Sequence, residues 1–482
     1  MQPVKIKDIA AAVNGTLLCG NPEEVVTNVS TNSKEISEGT LFVPIIGERV
    51  DAHKFIPMAL EAGAAAVFTS KHTIDSSDMK KEKAYIKVEN TLTALQQFGA
   101  YYRSLFSLPV IGITGSVGKT TTKEMIAAAL ATEKNVLKTA GNMNSQIGLP
   151  LMMFQIEKEH DVAVIEMGMS ERGEMERLCN IARPEIAVMT NIGVSHIGQL
   201  GSRENIRKEK LNIINHFGEK EQLEARLYVN GEDDMLSALL EEDKSKVDMD
   251  TFTKQAMQKT KVIAFGQETK DAYYAEDVQT VGEETHFTYV SDTGKEEIVL
   301  SVLGMHNVNN AVAALALAEQ FGIAPKMAKE GLKAYRPIAM RGQIYERDGV
   351  KIIDDTYNAS PDSMKSGVHV LLEMPGIDRR IAVLADVLEL GEVSEKCHYE
   401  VGSYIAALEK EGKKVDAVFT IGTEAAFIAE AIEKEGNAIF TKRFTSNEEA
   451  ISYLKAYLKE GDAVMLKGSR GMHVDEIVEA LK

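Results

Sequence analysis

The chain has no tryptophan and only three cysteines among its 482 residues. Cys19, Cys179 and Cys397 lie far apart, are odd in number and include no CxxC pair. This usage excludes a secreted disulfide framework and fits a protein of the reducing cytoplasm. We interpret all three cysteines as buried structural thiols.

Long hydrophobic runs and an excess of basic charge are also missing. No apolar run approaches the ~20 residues that a membrane helix needs, and Met1–Asp8 has no apolar core of signal-peptide length. The chain has 54 Lys and Arg against 72 Asp and Glu, which gives a net charge of −18. Such an acidic chain is poorly suited to bind nucleic acid or anionic lipid. We therefore expect a soluble cytoplasmic protein without a nucleic acid partner or stable membrane insertion.

The length and the strand–helix alternation predict an α/β protein of three domains, because one hydrophobic core rarely serves so long a chain. Residues 1–107 read as a small α/β domain. Residues 108–336 contain continuous apolar runs at 161–167 and 185–192, which are typical of strands in a mostly parallel sheet. Residues 337–482 repeat strand and helix at regular spacing, which predicts a Rossmann-like, doubly wound domain.

One stretch of the second domain carries the strongest signal of function. The run Val110–Ile113 predicts a buried strand, Thr114–Gly118 a tight polar loop, and Lys119–Leu130 a helix. Backbone N–H groups of such a loop, with the helix N-terminus, cradle phosphate. The usual first glycine of a P-loop is replaced by Ile113, and Gly115 makes the turn instead. We predict a nucleoside triphosphate site in which Lys119 reaches the β/γ-phosphates and the next hydroxyl binds Mg²⁺.

Polar residues end the next strands of the same sheet. Glu166 ends an apolar strand, where it either binds Mg²⁺ or pairs with a buried Lys or Arg. His196 follows the next strand and is either a ligand or a structural histidine. Lys210 lies in a charged amphipathic helix, and this pattern alone indicates an ordinary surface charge.

Three segments of the third domain also carry candidate chemistry. Asp354–Ser363 leaves the first strand with paired acids and ends in a Pro-led helix start, so it is either a ligand-facing loop or a capping segment. Arg341 lies at the domain junction, where it could reach phosphate across a cleft. Lys467–Gly471 leaves the last strand as a small basic loop. In the first domain, Ser30–Ser33 reads on its own as a simple turn.

Together these motifs resemble the Mur ligase family, and within it the MurF type, over nearly the whole chain. The similar segments are Asn32–Lys34, Leu41–Phe55, Thr114–Thr121, Gly141–Pro150, Glu166–Gly168, Asn191–His196, Glu209–Leu211, His306–Asn310, Asp354–Asn358, Leu388–Gly391 and Lys467–Arg470. The resemblance implies a uridine-nucleotide domain, a central ATPase domain and a C-terminal ligase domain. It also implies that Lys210 is carbamylated and is not an ordinary surface charge.

The resemblance implies roles for individual residues. The residues expected at ATP are Thr114, Gly115, Ser116, Gly118, Lys119, Thr120, Thr121, Asn307, Asn310, Arg341 and Asp355. Those expected at the other substrates are Ser33, Asn142, Asn144, Tyr357, Asn358, Lys467 and Arg470. The expected Mg²⁺ ligands are Thr120, Glu166, His196 and Lys210 as its carbamate, and the expected catalytic residues are Lys119, Lys210 and His196.

The activity that this resemblance implies is ATP-dependent amide formation. ATP would phosphorylate the terminal carboxylate of UDP-MurNAc-tripeptide, and the amine of D-Ala-D-Ala would attack the acyl phosphate. We expect a monomer that uses ATP and Mg²⁺. Two alternatives remain open: another Mur-type or folylpolyglutamate-type amide ligase, and, from a different class, a P-loop regulatory NTPase that switches a protein partner.

Overall fold

A computed structural model of the chain describes residues 1–71, 82–219, 224–268, 270–436 and 438–482. It contains three α/β sheets that follow one another along the sequence, of five, nine and six strands, and a small two-stranded sheet. The predicted fold class, α/β with a mostly parallel central sheet and a doubly wound C-terminal part, is confirmed.

The first sheet is built from short strands. Its region contains β1 Val4–Lys5, β2 Thr16–Cys19, β3 Val25–Val26, β4 Asn28–Ser30, β5 Thr40–Phe42, β6 Ala66–Thr69 and β7 Ala84–Lys87, with α1 Ile6–Ala12, α2 Ile56–Glu61 and α3 Thr91–Ser104. The order is β2-β7-β6-β5-β4, parallel except for β2, while β1 pairs with β3. Residues Ala52–Phe55 form a 3₁₀ turn that leads into α2, and β5 ends at Phe42, two residues before Pro44.

The central sheet carries nine strands. They are β8 Val110–Thr114, β9 Val136–Lys138, β10 Val162–Glu166, β11 Ile186–Met189, β12 Arg226–Asn230, β13 Lys261–Gly266, β14 Tyr273–Val281, β15 Glu284–Ser291 and β16 Gly294–Leu300. The helices are α4 Lys119–Leu130, α5 Gly148–Met153, α6 Glu174–Ala182, α7 Ile197–Leu200, α8 Arg203–Leu211, α9 Thr251–Met257, α10 Met305–Gln320 and α11 Pro325–Ala334. The order is β16-β15-β14-β13-β12-β11-β8-β10-β9, and only the β14–β15–β16 hairpins are antiparallel.

The register of the central sheet brings three strand ends together. Glu166 on β10 lies opposite Ile113 on β8, and Met189 on β11 lies opposite Thr114. Because β8 is flanked by β10 and β11, the polar residues after these three strands meet at one edge of the sheet. This edge is where the phosphate loop begins.

The last sheet has five parallel strands and one antiparallel edge strand. The elements are β17 Gln343–Arg347, β18 Val350–Asp354, β19 Arg379–Ala385, β20 Ala417–Ile421, β21 Phe440–Phe444 and β22 Asp462–Lys467, with α12 Pro361–Glu373, α13 Ser394–Lys410, α14 Ala426–Glu435, α15 Asn447–Tyr457 and α16 Asp475–Leu481. The order is β17-β18-β22-β19-β20-β21. Hydrophobic clusters lie on both faces of this sheet, as a doubly wound fold requires.

The first and central domains share one hydrophobic core. Helix α3 packs on α5 and α6, where Phe98 and Tyr102 contact the ring of Phe154. Arg103 is 1% exposed and donates hydrogen bonds to three backbone carbonyls and to Glu185. A buried guanidinium is tolerated only when its donors are satisfied, so this residue fixes the two domains against each other.

Candidate active site

The phosphate loop has the conformation that its glycines permit. Gly115 adopts φ +151°, and a Cβ there would lie 1.9 Å from Oγ1 of Thr190. Gly118 adopts φ +86° and caps α4, whose first N–H groups have no intrahelical partner. Only glycine fits both positions without strain, which explains why the loop tolerates Ile113 but needs these two residues.

Asn191 shapes the same loop from the neighbouring strand. Its Oδ1 accepts hydrogen bonds from the N–H of Ser116 at 3.1 Å and of Val117 at 2.9 Å, while its carbonyl accepts a second bond from Ser116. The sequence reasoning placed this residue in a candidate segment but did not assign it to the site. Its position at the end of β11, directly beside β8, was the available signal.

Two lysines converge on one oxygen of the loop. Nζ of Lys119 donates to the carbonyl of Gly115 at 2.9 Å, and Nζ of Lys210 donates to the same carbonyl at 3.0 Å. Two ammonium groups this close repel each other unless an anion lies between them or one of them loses its charge. The arrangement therefore suits a phosphate ligand, a modified lysine, or both.

Lys210 is buried, so its interpretation as a surface charge from the helix pattern is wrong. It is 1% exposed, and Arg207 and Glu209 on the same helix are buried with it. Glu209 accepts hydrogen bonds from the N–H groups of Gly173 and Met175, which docks α8 against α6. Burial, with the nearby charge of Lys119, lowers the pKa of Lys210 well below its usual value. The charged pattern did not mark Lys210 because the buried side of α8 carries charged side chains beside the apolar Ile206 and Leu211.

Glu166 and Thr120 form the oxygen-rich side of the site. Glu166 is 1% exposed; its Oε2 accepts from Oγ1 of Thr120 at 2.9 Å and its Oε1 from Nδ2 of Asn144 at 2.7 Å. A hydroxyl and a carboxylate beside a phosphate loop are oxygen donors of the kind that Mg²⁺ prefers. The residues present fit that ion, although the described residues hold no group of three or more acidic, His or Cys side chains placed to bind a metal.

The first two turns of α10 face the loop from the other side. Asn310 accepts a hydrogen bond from Oγ1 of Thr122 at 2.9 Å, and its buried Nδ2 has no hydrogen-bond partner among the described residues. Asn307 donates to the carbonyl of Leu303. A buried amide donor without a partner costs free energy, so Asn310 is suited to a hydrogen-bond acceptor on a ligand.

The C-terminal domain closes the cleft with paired charges. Nζ of Lys467 is 2.5 Å from Oδ2 of Asp355 and 3.1 Å from the carbonyl of Asn358. The guanidinium of Arg341 lies 3.8 Å from the ring centroid of Tyr357, a cation–π contact. The structure thus brings together four residues of the Asp354–Ser363 and Lys467–Gly471 segments and the junction arginine.

His196 meets the same domain from the central side. Its Nδ1 lies 2.8 Å from Oε2 of Glu389. This contact holds the pKa of Glu389 below its usual value. His196 itself adopts φ +63°, a left-handed conformation that is uncommon outside glycine.

These groups line one cleft of about 790 Å³ between the central and C-terminal domains. The predicted residues that line it are Ser116, Gly118, Lys119, Thr120, Thr121, Asn144, Glu166, His196, Asn307, Asn310, Arg341, Asp355, Tyr357, Asn358 and Lys467. Thr114, Gly115 and Lys210 are not among the residues that line this cleft. Thr114 ends β8, and Nζ of Lys210 donates to the carbonyl of Gly115. Ser33, Asn142 and Arg470 also do not line the cleft, although the N–H of Arg470 donates to Oδ1 of Asn358, which does, at 3.4 Å.

Three domain families match in the order of the domains seen here. The Mur ligase family catalytic domain matches residues 25–103, the Mur ligase middle domain residues 113–318, and the Mur ligase glutamate ligase domain residues 340–470. The UDP-N-acetylmuramoyl-tripeptide–D-alanyl-D-alanine ligase of Bacillus subtilis is 38% identical over 480 residues, 99% of this chain and 98% of that protein. The chain belongs to the Mur ligase family.

Solved Mur ligase structures have the same architecture. A crystal structure of MurF from Acinetobacter baumannii superposes with a TM-score of 0.86 at 28% identity, covering 100% of this chain and 99% of that one. MurF from Thermotoga maritima in complex with ADP superposes with a TM-score of 0.79 at 29% identity, covering 94% and 96%. In the part of the chain that is described, no helix is both long and apolar enough to cross a membrane.

Proposed function

We propose that this Mur ligase joins D-alanyl-D-alanine to UDP-N-acetylmuramoyl-tripeptide at the expense of ATP, the last cytoplasmic step in making the peptidoglycan pentapeptide precursor. The relatives named for this reaction match the chain over its whole length. The observation that carries the proposal is the convergence of Lys119 and Lys210 on the carbonyl of Gly115, where Lys119 lines, together with Glu166, the cleft between the central and C-terminal domains.

The first half of the reaction transfers the γ-phosphoryl group to the terminal carboxylate of the tripeptide. A carboxylate is a poor acyl donor to an amine, and its phosphorylation supplies a good leaving group. Two anions must approach each other, so the site must offset their repulsion. Lys119 and the free N–H groups at the start of α4 provide positive charge on the phosphate side.

Thr120, Glu166 and His196 are the side chains that would hold Mg²⁺. When bound, Mg²⁺ supplies positive charge that neutralises the phosphate and carboxylate oxygens. The oxygens of Thr120 and Glu166 already lie 2.9 Å apart at the phosphate loop. Because these side chains suit the ion, we propose Mg²⁺ as a cofactor.

Lys210 suits modification by carbon dioxide. Burial lowers the pKa of Lys210 well below its usual value, so a larger fraction of the amine is uncharged than in an exposed lysine, and only an uncharged amine attacks CO₂. The N–C bond forms, a proton leaves, and the product is an anionic carbamate. The carbamate forms an opposite-charged pair with Lys119 and supplies oxygen ligands.

The second half of the reaction needs a closed cleft. The amine of D-Ala-D-Ala attacks the acyl carbon, a tetrahedral intermediate collapses, and phosphate leaves. Water would attack the same carbon, so the C-terminal domain must exclude it. Arg341, Asp355 and Lys467 lie on the closing side of the cleft and are placed to contact the substrates there.

We assign the uridine-nucleotide end of the substrate to the first domain. Ser33 follows β4 in a turn in which the amide oxygen of Asn32 accepts the N–H of Lys34. This surface would bind the end of the substrate remote from the reacting carboxylate. Asn142, Asn144, Tyr357, Asn358 and Arg470 remain our candidates for the rest of the substrate.

We also propose a monomer in the cytoplasm. The cleft is lined by the central and C-terminal domains of a single chain. All three cysteines are free thiols; Cys179 and Cys397 are buried as interpreted, whereas Cys19 is only half-buried. Light scattering after size exclusion tests the first part, and cell fractionation tests the second.

Phosphate release by the full-length protein tests the reaction directly. We expect release from ATP to require both UDP-MurNAc-tripeptide and D-Ala-D-Ala, with a product whose mass is that of the joined peptide. Release that depends instead on glutamate and a folate, or on another amino acid, would assign a sibling amide ligase. Phosphate release that does not depend on any acceptor would indicate a nucleotide hydrolase instead of a ligase.

A further inference from the structure

The loop that carries Glu389 reaches from the C-terminal domain onto the central domain. The carbonyl of Glu389 accepts a hydrogen bond from the N–H of Gly198 at 3.3 Å. A Cβ on Gly198 would lie 3.0 Å from that carbonyl oxygen and 3.1 Å from the N of Gly391, so the two backbones meet where a side chain would crowd them. Val194 and Ile197 pack against the hydrophobic core of the C-terminal domain, which includes Leu390.

The Glu389 loop is held rigidly within its own domain. The N–H of Val387 donates to Nε2 of His398 at 3.0 Å, and the other ring nitrogen of this buried histidine lies 2.8 Å from the carbonyl of Ser394. The N–H of Leu388 donates to Oγ of Ser469 at 3.0 Å. The two residues before Glu389 are therefore anchored and Leu390 after it is buried, so the backbone that carries the carboxylate is held in place.

The carboxylate aimed by this loop meets His196. Oε2 of Glu389 lies 2.8 Å from Nδ1 of His196, within hydrogen-bond distance. If Nδ1 carries the proton that this contact needs, Nε2 keeps its lone pair. A carboxylate on the second nitrogen of a metal-binding histidine fixes the tautomer and the ring orientation and makes the ligand more basic.

We propose that Glu389 is a positioning residue, which orients His196 for metal binding and does so only when the C-terminal domain has closed. This inference rests on the metal role given to His196 in the proposed function. Because the carboxylate and the imidazole belong to different domains, the metal site is complete only in the closed protein. Closure would thus be coupled to metal binding, and the open protein would be poorly prepared to cleave ATP without an acceptor.

Mn²⁺ binding tests this inference without requiring turnover. Free Mn²⁺ is measured by electron paramagnetic resonance with the full-length protein, a non-hydrolysable ATP analogue and UDP-MurNAc-tripeptide. We expect Glu389→Ala to weaken Mn²⁺ binding by roughly 10- to 100-fold, as loss of such a carboxylate usually does. Glu389→Gln keeps an acceptor of the same size and should lose less. Glu392→Gln, on the exposed turn Gly391–Val393, is the matched control and should bind as the wild type does.

Small-angle scattering of the same samples separates positioning from simple adhesion of the domains. We expect the Gln variant to close like the wild type while binding Mn²⁺ more weakly. Mn²⁺ affinities within twofold of wild type for both Glu389 variants would overturn the inference. Weaker binding seen only together with an open scattering profile would also overturn it, because Glu389 would then merely hold the domains together. Phosphate release by the wild type, measured separately, shows whether the ligase assignment itself stands.

Discussion

Lys119 and Lys210 donate hydrogen bonds to the same carbonyl oxygen, that of Gly115, at 2.9 and 3.0 Å. One lysine begins the helix after the phosphate loop and the other comes from α8, far along the chain. Their meeting joins the nucleotide site to the residue proposed to become a carbamate. The same contact explains why burial alone does not account for the lowered pKa of Lys210, since the charge of Lys119 adds to it.

Removal of the Lys210 amine should abolish ligation. We expect Lys210→Ala to reduce product formation by roughly 100-fold or more, because an anionic group that stabilises the charged site is lost. Lys210→Glu restores a carboxylate, though at a shorter reach, and should retain part of the activity. Lys208→Ala is the control, since Lys208 lies on the same helix and pairs with Asp248 near the surface. Full activity of Lys210→Ala without bicarbonate would contradict the carbamate assignment.

Lys119→Met should have opposite effects on the free and the nucleotide-bound protein. Without nucleotide the variant no longer desolvates the Lys119 ammonium, whose pKa burial lowers, so Tm should stay the same or rise. Wild-type protein at 100 times Kd of the nucleotide should gain about 2.7 kcal/mol, and most of this gain should be absent in the variant. Calorimetry with and without Mg-ATP measures both, with Lys158→Met, an exposed loop position, as the control. An equal nucleotide-dependent gain in the variant would remove Lys119 from the phosphate site.

Asp271 should make stability depend on pH. It is 5% exposed, neither of its carboxylate oxygens has a hydrogen-bond partner in the described part of the chain, and burial raises its pKa to about 6. The folded state therefore binds this proton more tightly than the unfolded state, whose pKa is near 3.9. Its contribution is fully favourable below about pH 4 and is lost as pH rises to about 6.

Asp271→Asn keeps the size of the side chain and removes the ionisable group. We expect it to raise the free energy of unfolding by about 1–3 kcal/mol at pH 7.5 and by almost nothing at pH 4. Urea titration at the two pH values measures this difference. Asp292→Asn, in the exposed turn between β15 and β16, is the control. An equal change at both pH values would show that titration of Asp271 is not the cause.

Gly331 allows α11 to lie close against α4, the helix of the phosphate loop. A Cβ at Gly331 would lie 2.0 Å from the carbonyl oxygen of Ala128. Backbone cannot give way as a flexible side chain can, so we expect Gly331→Ala to destabilise the protein by about 1–3 kcal/mol or more, despite the better helix propensity of Ala. Glu330→Ala, one residue earlier and exposed, should change Tm little. A stability equal to wild type for Gly331→Ala would show that the two helices can separate freely.

Much of the site could be predicted from the sequence where local pattern and local chemistry coincide. The helix Lys119–Leu130 has the bounds that were predicted, because a glycine cap and a periodic apolar face fix both ends. The apolar runs around Val162–Glu166 and Ile186–Met189 form the predicted parallel strands, and their ends meet as parallel strands require.

The residues that could not be predicted depend on contacts between distant segments. No sequence motif singles out Arg103, which is buried and donates to carbonyls of α6 and of the α3–β8 connection. The edge strands Gln343–Arg347 and Phe440–Phe444 are hard to recognise in the sequence, since their polar residues leave no clear apolar alternation. Glu389 gains its contact to His196 only through the packing of two domains.

Transfer of labelled oxygen tests the acyl-phosphate reaction most directly. UDP-MurNAc-tripeptide with ¹⁸O at both oxygens of its terminal carboxylate is converted with ATP and D-Ala-D-Ala. The released phosphate and the peptide product are analysed by mass spectrometry. Since the carboxylate oxygen attacks the γ-phosphorus and leaves with it, we predict one ¹⁸O in each phosphate and one in the new amide. Unlabelled phosphate accompanying product would contradict the mechanism, and unlabelled phosphate without product would show hydrolysis of ATP by water.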